Sequence, residues 1–477
     1  MPIDHFDYNT LKTFSLKYLI NLDHYEKGGP IFFYCGNEGP IEFYANNTGS
    51  IFEWAPEFKA AVIYAEHRFY GDTQPFGNES YTKYQNLGYL SSEQALGDYA
   101  KLIRYLKKER IPGAQNSTLI AFGGSYGGLL ATWFRIKYPH IVDGSVASSA
   151  PVFFFQNTSD SQSSSMRITT RTFVESGCDL KTVYNSWAAL RELAKTESGR
   201  TSLNNIFKLS KQTLINQEED VAMLIGFVQE IYIDMAMSDY PFETNLLDPL
   251  PAWPVKVACE SFKEPKSSNE EYAKAVYSFV NLGKNYTGQV KEFCINPVIC
   301  HNPDPGNLLR GWTWQTCTQM IIPTCAKGPP SDFFEPSCPY TVTQVEAMCE
   351  AMFQSTGYTS QLLRPHWAAM EYGDRLPTAS NIVFANGYLD SVMAMGWSSK
   401  PKVEGSVVSL IVNDGAHMYD LHGANSKDTD SVKEVREQEK KYIAQWIKEA
   451  KEGKNKGSMM VGLSVAIVGV LAALNLL

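Results

Sequence analysis

The hydrophobic rhythm of the chain changes twice. Across residues 1–157, short runs of consecutive apolar positions, such as PIFFYCG at 30–36 and AAVIYA at 60–65, alternate with stretches of helical period. Unbroken apolar runs of strand length mark strands buried on both faces. The clearest helical stretch is LSSEQALGDYAKLIRYLKKER. There Leu96, Tyr99, Leu102, Ile103 and Leu106 share a face, and Ser91 or Ser92 caps the start. STLIAF at 117–122 and DGSVASSAPV at 143–152 read as further strands. Leu129–Tyr138 reads as a helix that Pro139 ends. This alternation predicts an α/β fold with a mainly parallel sheet.

From 158 to 310 the pattern turns helical and polar, as in EEDVAMLIGFVQEIYIDMAM and NEEYAKAVYSFVNLG. Residues 311–450 read as the return to the core and its second part, with the α/β pattern back from about 375 in two strand-then-loop units, NIVFANGYLD at 381–390 and VVSLIVNDGAH at 407–417. An amphipathic helix over Glu434–Lys451 closes the pattern. The expected organisation is one α/β core interrupted by a helical insertion, then a polar hinge and hydrophobic tail at 451–477. The tail ends in an uncharged run, MMVGLSVAIVGVLAALNLL at 459–477, long enough to cross a bilayer. It reads either as a transmembrane anchor or as a GPI signal with its attachment site near Asn455 to Ser458.

Composition narrows the function classes. With 44% apolar and 19% charged residues the chain has ample core, and a net charge of −9 without a basic stripe argues against nucleic acid. Eight cysteines lie in the middle of the chain: Cys178, Cys259, Cys294, Cys300, Cys317, Cys325, Cys338 and Cys349. Cys35 stands apart in an apolar run. The even set predicts disulfides and an oxidising compartment. Zinc is the competing reading, but no C-x-x-C pair occurs, so no metal is expected, and no cofactor either. N-x-S/T sequons at Asn46, Asn78, Asn116, Asn157 and Asn285 agree with secretion. MPIDHFDYNT lacks the basic and apolar regions of a secretory leader, so a leader is expected to be missing from this sequence.

The candidate chemistry begins at Gly123-Gly124-Ser125-Tyr126-Gly127, a G-x-S-x-G pattern between a strand and a helix. Such a turn is tight, exposes the serine hydroxyl above the sheet, and sets the next backbone N–H, here of Tyr126, toward a developing oxyanion. An ordinary glycine-rich connection would look the same over five residues. The rest of the chain decides: Asp390 and His417 each follow a strand and a turn, in the order serine, acid, histidine. His417 would take the Ser125 proton and return it to the leaving group, with Asp390 orienting the imidazole. Asp414 is the competing acid, though it precedes the base on the same loop.

Several stretches carry a family resemblance: IDHFD at 3–7, FFYCGNEGP at 32–40, IYAEHRFYGDTQPFG at 63–77, LSSEQALGDYA at 90–100 and GGSYGGLLATWFRIKYPH at 123–140. MSDYPF and LPAWPVKVAC within 237–259, NIVFANGYLD and GAHMYDLH at 415–422 complete it. Together they resemble the family of lysosomal Pro-X carboxypeptidase, dipeptidyl peptidase II and thymus-specific serine protease. LPAWPVKVAC and GWTWQTCTQ lean toward the Pro-X carboxypeptidase branch.

The resemblance implies an α/β-hydrolase fold with a helical cap and a serine exopeptidase acting after proline. Its substrates would be peptides with a penultimate proline, and its setting lysosomal or at the cell surface; a homodimer is left open. By position Ser125, Asp390 and His417 match nucleophile, acid and base. Gly36, Asn37 and Glu38 match a GNEG loop that supplies the second oxyanion donor or contacts a peptide terminus. Two departures stand out. The family's D-P-W after the acid is Asp390-Ser391-Val392 here, which removes an apolar wall that Trp397 would have to replace. The family's H-H-L-D-L-R is His417-Met418-Tyr419-Asp420-Leu421-His422, without the arginine. Four readings follow: a carboxypeptidase, an aminodipeptidase with the same triad, a catalytically weak binding protein, and an esterase or lipase, against which the resemblance argues.

Overall fold

A computed structural model describes residues 1–474, apart from Asn9 and the segments 154–158, 297–299, 301–306, 322–323, 338–341, 374–378 and 397–405. At 159–162, 308 and 454–474 only the backbone is described. Seven strands form one sheet: β1 (Tyr18–Asn21), β2 (Ile31–Cys35), β3 (Ala61–Ala65), β4 (Leu119–Gly124), β5 (Gly144–Ser148), β6 (Ile382–Gly387) and β7 (Val407–Val412). Their spatial order is β1-β3-β2-β4-β5-β6-β7. Only β1 pairs antiparallel; every other pairing is parallel. The apolar runs explain this, because each central strand buries both faces. Ile31, Phe33 and Cys35 enter one core, while Phe32 and Tyr34 enter the other.

The chain runs from β2 to β3 on one side and then returns to place β4 on the other. The crevice between the carboxyl ends of β2 and β4 is therefore a topological switch point, where α/β sheets bind ligands. The loop at 36–39 and the turn at Ser125 both open onto it.

Helix α1 (Ser92–Tyr105) and helix α2 (Tyr126–Lys137) cover one face. Two local expectations change. Helix α2 begins at Tyr126 rather than Leu129, because Gly127 and Gly128 are drawn into its first turn by close packing on Asn37 and Ser148. Ser91 does occupy the cap position of α1, but its buried hydroxyl makes no capping bond.

Between β5 and β6 the chain leaves the sheet for helices, including α3 (Ser159–Glu175), α4 (Leu180–Ala194), α5 (Val221–Met237), α6 (Asn269–Asn285) and α7 (Leu308–Thr316). Residues of α3 to α6 build a separate core around Trp187, Tyr232, Phe279 and Phe333. Helix α8 (Asp430–Leu474) lies against β7 and runs on past Lys451, where the sequence pattern ends it. Among the described residues no helix is long and apolar enough to cross a membrane; the run at 459–477 lies outside the described side chains.

Disulfides join Cys178 to Cys259, Cys294 to Cys300 and Cys317 to Cys349. Cys325 is also bonded, Cys338 lies outside the described residues, and Cys35 is a buried thiol. Asn46, Asn78 and Asn116 are exposed and Asn285 is half-buried, while Asn157 lies outside the described residues. The Cys178–Cys259 bridge closes a separation of 81 residues across the helical core. Replacing both cysteines by serine is expected to cost about 2–5 kcal/mol. Urea unfolding and limited proteolysis of the full chain measure it, with the new cleavages falling between 160 and 290.

Candidate active site

Ser125 connects β4 to α2 with φ 55° and ψ −125°, a conformation a non-glycine residue rarely adopts. The neighbours make it feasible. A Cβ on Gly123 would lie 2.0 Å from the Gly127 carbonyl oxygen, and one on Gly127 would lie 2.3 Å from Asn37 Oδ1. Only glycine allows the two ends of the turn to close this tightly. The Ser125 N–H donates to the Ser148 carbonyl at 2.9 Å, tying the turn to β5. As the first residue of α2, Tyr126 has a backbone N–H with no intrahelical acceptor, the donor an oxyanion needs.

Asp390 follows β6 and His417 follows β7, and the structure brings them together. Nδ1 of His417 lies 2.7 Å from Asp390 Oδ2, while Asp390 Oδ1 accepts the Val392 N–H at 3.0 Å. Asp390 is fully buried and His417 is 3% exposed, so the pair is shielded from water. Asp414 is elsewhere: its carboxylate accepts from the Thr429 hydroxyl at 2.8 Å. His417 approaches the serine turn through its neighbour, since a Cβ on Gly124 would lie 2.0 Å from Met418 Sδ. No direct hydrogen bond joins Ser125 to His417 in this ligand-free geometry, in which such bonds are often loose.

The loop at 36–39 sorts into different roles. Gly36 donates its N–H to Ala65 and its carbonyl accepts from Tyr99, so it has no donor to offer and acts as a structural residue. The Asn37 side chain donates to the Gly124 carbonyl at 2.6 Å and accepts from the Tyr34 hydroxyl at 3.0 Å. It therefore locks this loop to the serine turn. Oε2 of Glu38 is buried without a hydrogen-bond partner. Burial pushes the Glu38 carboxyl up to about 7, with the nearby His417 pulling the other way.

The helical insertion holds both acid and base. The Arg171 guanidinium from α3 donates to the Tyr388 carbonyl and stacks 3.6 Å from the Tyr388 ring centre; Thr172 donates to the Leu389 carbonyl at 2.9 Å. These contacts fix the two residues preceding Asp390. The His417 N–H donates to the Met237 carbonyl at 2.9 Å, and the Tyr240 hydroxyl donates to the His417 carbonyl. Backbone carbonyls leave no signature in a sequence, so no residue pattern signals these contacts.

A second support lies beneath the His417 loop. Arg436 on α8 donates to the carbonyls of Tyr419, Asp420 and His422 and pairs with Asp428 at 2.6 Å. A cation therefore does reach this loop, from a helix rather than from the loop itself. His422 is buried and held down to about 4, mainly by desolvation, so it is neutral. Asp420 accepts from Ser148 at 2.6 Å and faces the buried Glu439, whose carboxyl is pushed up by burial and by the Asp420 charge.

These elements form one constellation at the carboxyl ends of adjacent parallel strands. A hydroxyl on a strained turn, an oriented imidazole and inward-facing N–H groups can carry out nucleophilic acyl transfer. The family described as serine carboxypeptidase S28 matches residues 1–439. The chain belongs to this family. It is 49% identical over 454 residues to a prolyl carboxy peptidase like protein 5 of Caenorhabditis elegans, covering 94% of this chain and 89% of that protein. It is 40% identical to the lysosomal Pro-X carboxypeptidase of Bos taurus, covering 93% and 86%. To the human protein of that name it is 38% identical, covering 94% and 87%. The S28 chain is thus a serine-type peptidase with an α/β-hydrolase fold.

The Glu439 proton carries a test. Its raised value means the folded state binds a proton that the unfolded chain releases above the ordinary 4.5. The resulting stabilisation is complete below that value and is lost as pH rises above it. Glu439→Gln keeps a neutral partner for Asp420, so its melting temperature is expected to fall less between pH 5 and pH 8 than that of the wild type. Calorimetric scans across that range measure the difference.

Proposed function

We propose that this protein is a proline-specific carboxypeptidase in which Ser125, His417 and Asp390 act as nucleophile, general base and orienting acid. The observation that carries the reading is the strained Ser125 turn set beside a buried Asp390–His417 pair. Ser125 attacks the carbonyl carbon of the scissile bond as His417 Nε2 takes its proton. The oxyanion accepts from the backbone N–H of Tyr126 and from that of Asn37, which has no partner among the described residues. His417 then protonates the departing amine, and water releases the acyl group by the reverse sequence.

Proline preference is supported by the names of relatives near 40% identity. It is also supported by apolar surface beside the nucleophile: Met418 against Gly124, and Trp312 with its ring centre 5.4 Å from that of Tyr126. A proline ring is compact and rigid, which suits such a wall. Ser391 and Val392 stand where the family has proline and tryptophan, and Trp397 lies outside the described residues. Disulfides and exposed sequons support a secretory-pathway location, while support for membrane tethering rests on the uncharged run at 459–477.

Two peptides test the reading with the full chain. One has a blocked N-terminus and ends in Pro-Phe; the other has a free N-terminus, X-Pro and a C-terminal reporter amide. Release of phenylalanine is expected, falling by at least about 1000-fold in Ser125→Ala. Release of the reporter alone would make the protein an aminodipeptidase, and silence on both would leave a binding protein.

Glu38 sets the pH dependence. Below about 7 its carboxyl is protonated and can donate to the terminal carboxylate of a substrate. Above that value it ionises and repels the same group. KM for the Pro-Phe peptide is therefore expected to rise as pH passes 7, and Glu38→Gln is expected to abolish that rise. An unchanged profile in the variant would remove Glu38 from substrate binding.

A further inference from the structure

A cavity of about 320 Å³ lies between the start of α1, the end of α7 and the segment around Arg364. None of Ser125, Glu38, Asp390 or His417 lines it. Its polar lining includes Gln85, Thr318, Glu93 and Gln319, the last of which is 8% exposed. The Gln319 side-chain nitrogen points toward Glu93 Oε1 at 3.4 Å. This leaves Glu93 Oε2 and Gln319 Oε1 both buried and both without a hydrogen-bond partner. Two unpaired acceptors on residues that line one cavity are costly, and a group bringing several donors would satisfy them.

The rest of the lining narrows the class. Tyr84, Tyr89 and Trp314 provide aromatic walls, which favour a cation and an apolar body together. Arg364 is exposed, and its guanidinium has no hydrogen bond or ion pair among the described residues. It can receive a carboxylate.

We propose that this cavity binds a small molecule with a primary ammonium on an apolar body, and prefers one that also carries a carboxylate. The ammonium donates to Glu93 and Gln319, the body lies on the aromatic walls, and the carboxylate meets Arg364. Free apolar amino acids belong to this class. Gln315 accepts the Gln319 N–H on its carbonyl at 2.8 Å and donates from its side chain to the Tyr126 hydroxyl at 2.9 Å, which links the cavity wall to the residue after Ser125.

Titration calorimetry on the full chain, with Ser125 blocked by a phosphonate, tests the site independently of peptidase activity. The probes are phenylalanine, phenethylamine and hydrocinnamate at pH 7. Saturable binding is expected for the two amines and none for hydrocinnamate, with phenylalanine the tighter. Glu93→Gln should weaken both amines by about tenfold or more. Arg364→Gln, at the exposed mouth, should bring phenylalanine to the level of phenethylamine, and Tyr84→Ala should weaken both. Those two variants decide the matter if Glu93→Gln does not fold. Absence of saturable binding, equal binding of hydrocinnamate, or amine binding indifferent to these substitutions would overturn the proposal.

Discussion

The site depends on one steric constraint: β4 must turn into α2 within a single residue. That residue, Ser125, takes a positive φ because Gly123 and Gly127 bring backbone against backbone where no side chain fits. The strain lifts the hydroxyl away from the sheet and leaves the Tyr126 N–H free at the helix start. It also brings Gly124 close enough for Asn37 to grip its carbonyl from one side and for Met418 to pack on it from the other. The loop after β2 and the histidine loop therefore both pack against the serine turn.

The acid and base need a different kind of support, because loops beyond strand ends have no ladder to hold them. Here the insertion supplies it from above, through Arg171, Thr172, Met237 and Tyr240. Helix α8 supplies it from below, through Arg436 and the Asp420–Glu439 pair. The helical region thus helps to position Asp390 and His417. The buried carboxyl pair keeps its proton best in acid, so this support is firmest at low pH.

How far the sequence could be read follows from this division. The central strands were legible because each buries both faces and so appears as an unbroken apolar run. Ser125, Asp390 and His417 were legible because each follows such a run, and parallel strands bring their carboxyl ends to one edge. The start of α2 was not, since glycines in its first turn look like loop until the packing that demands them is known. The clamps were not legible either. They run from side chains to distant backbone carbonyls, and residues such as Arg171, Tyr240 and Arg436 read singly as surface or core positions. Gly36 showed the opposite failure: it sits in the right loop, but its N–H belongs to Ala65.

The central claim is that the strained turn makes Ser125 a nucleophile activated by His417. Labelling the full chain with a fluorophosphonate, followed by mass spectrometry of its peptides, tests it most directly. The account predicts one adduct, on the peptide containing Ser125, formed far more slowly in His417→Ala and in Gly123→Ala. No adduct on a folded sample, an adduct on another serine, or a rate indifferent to His417 would contradict it.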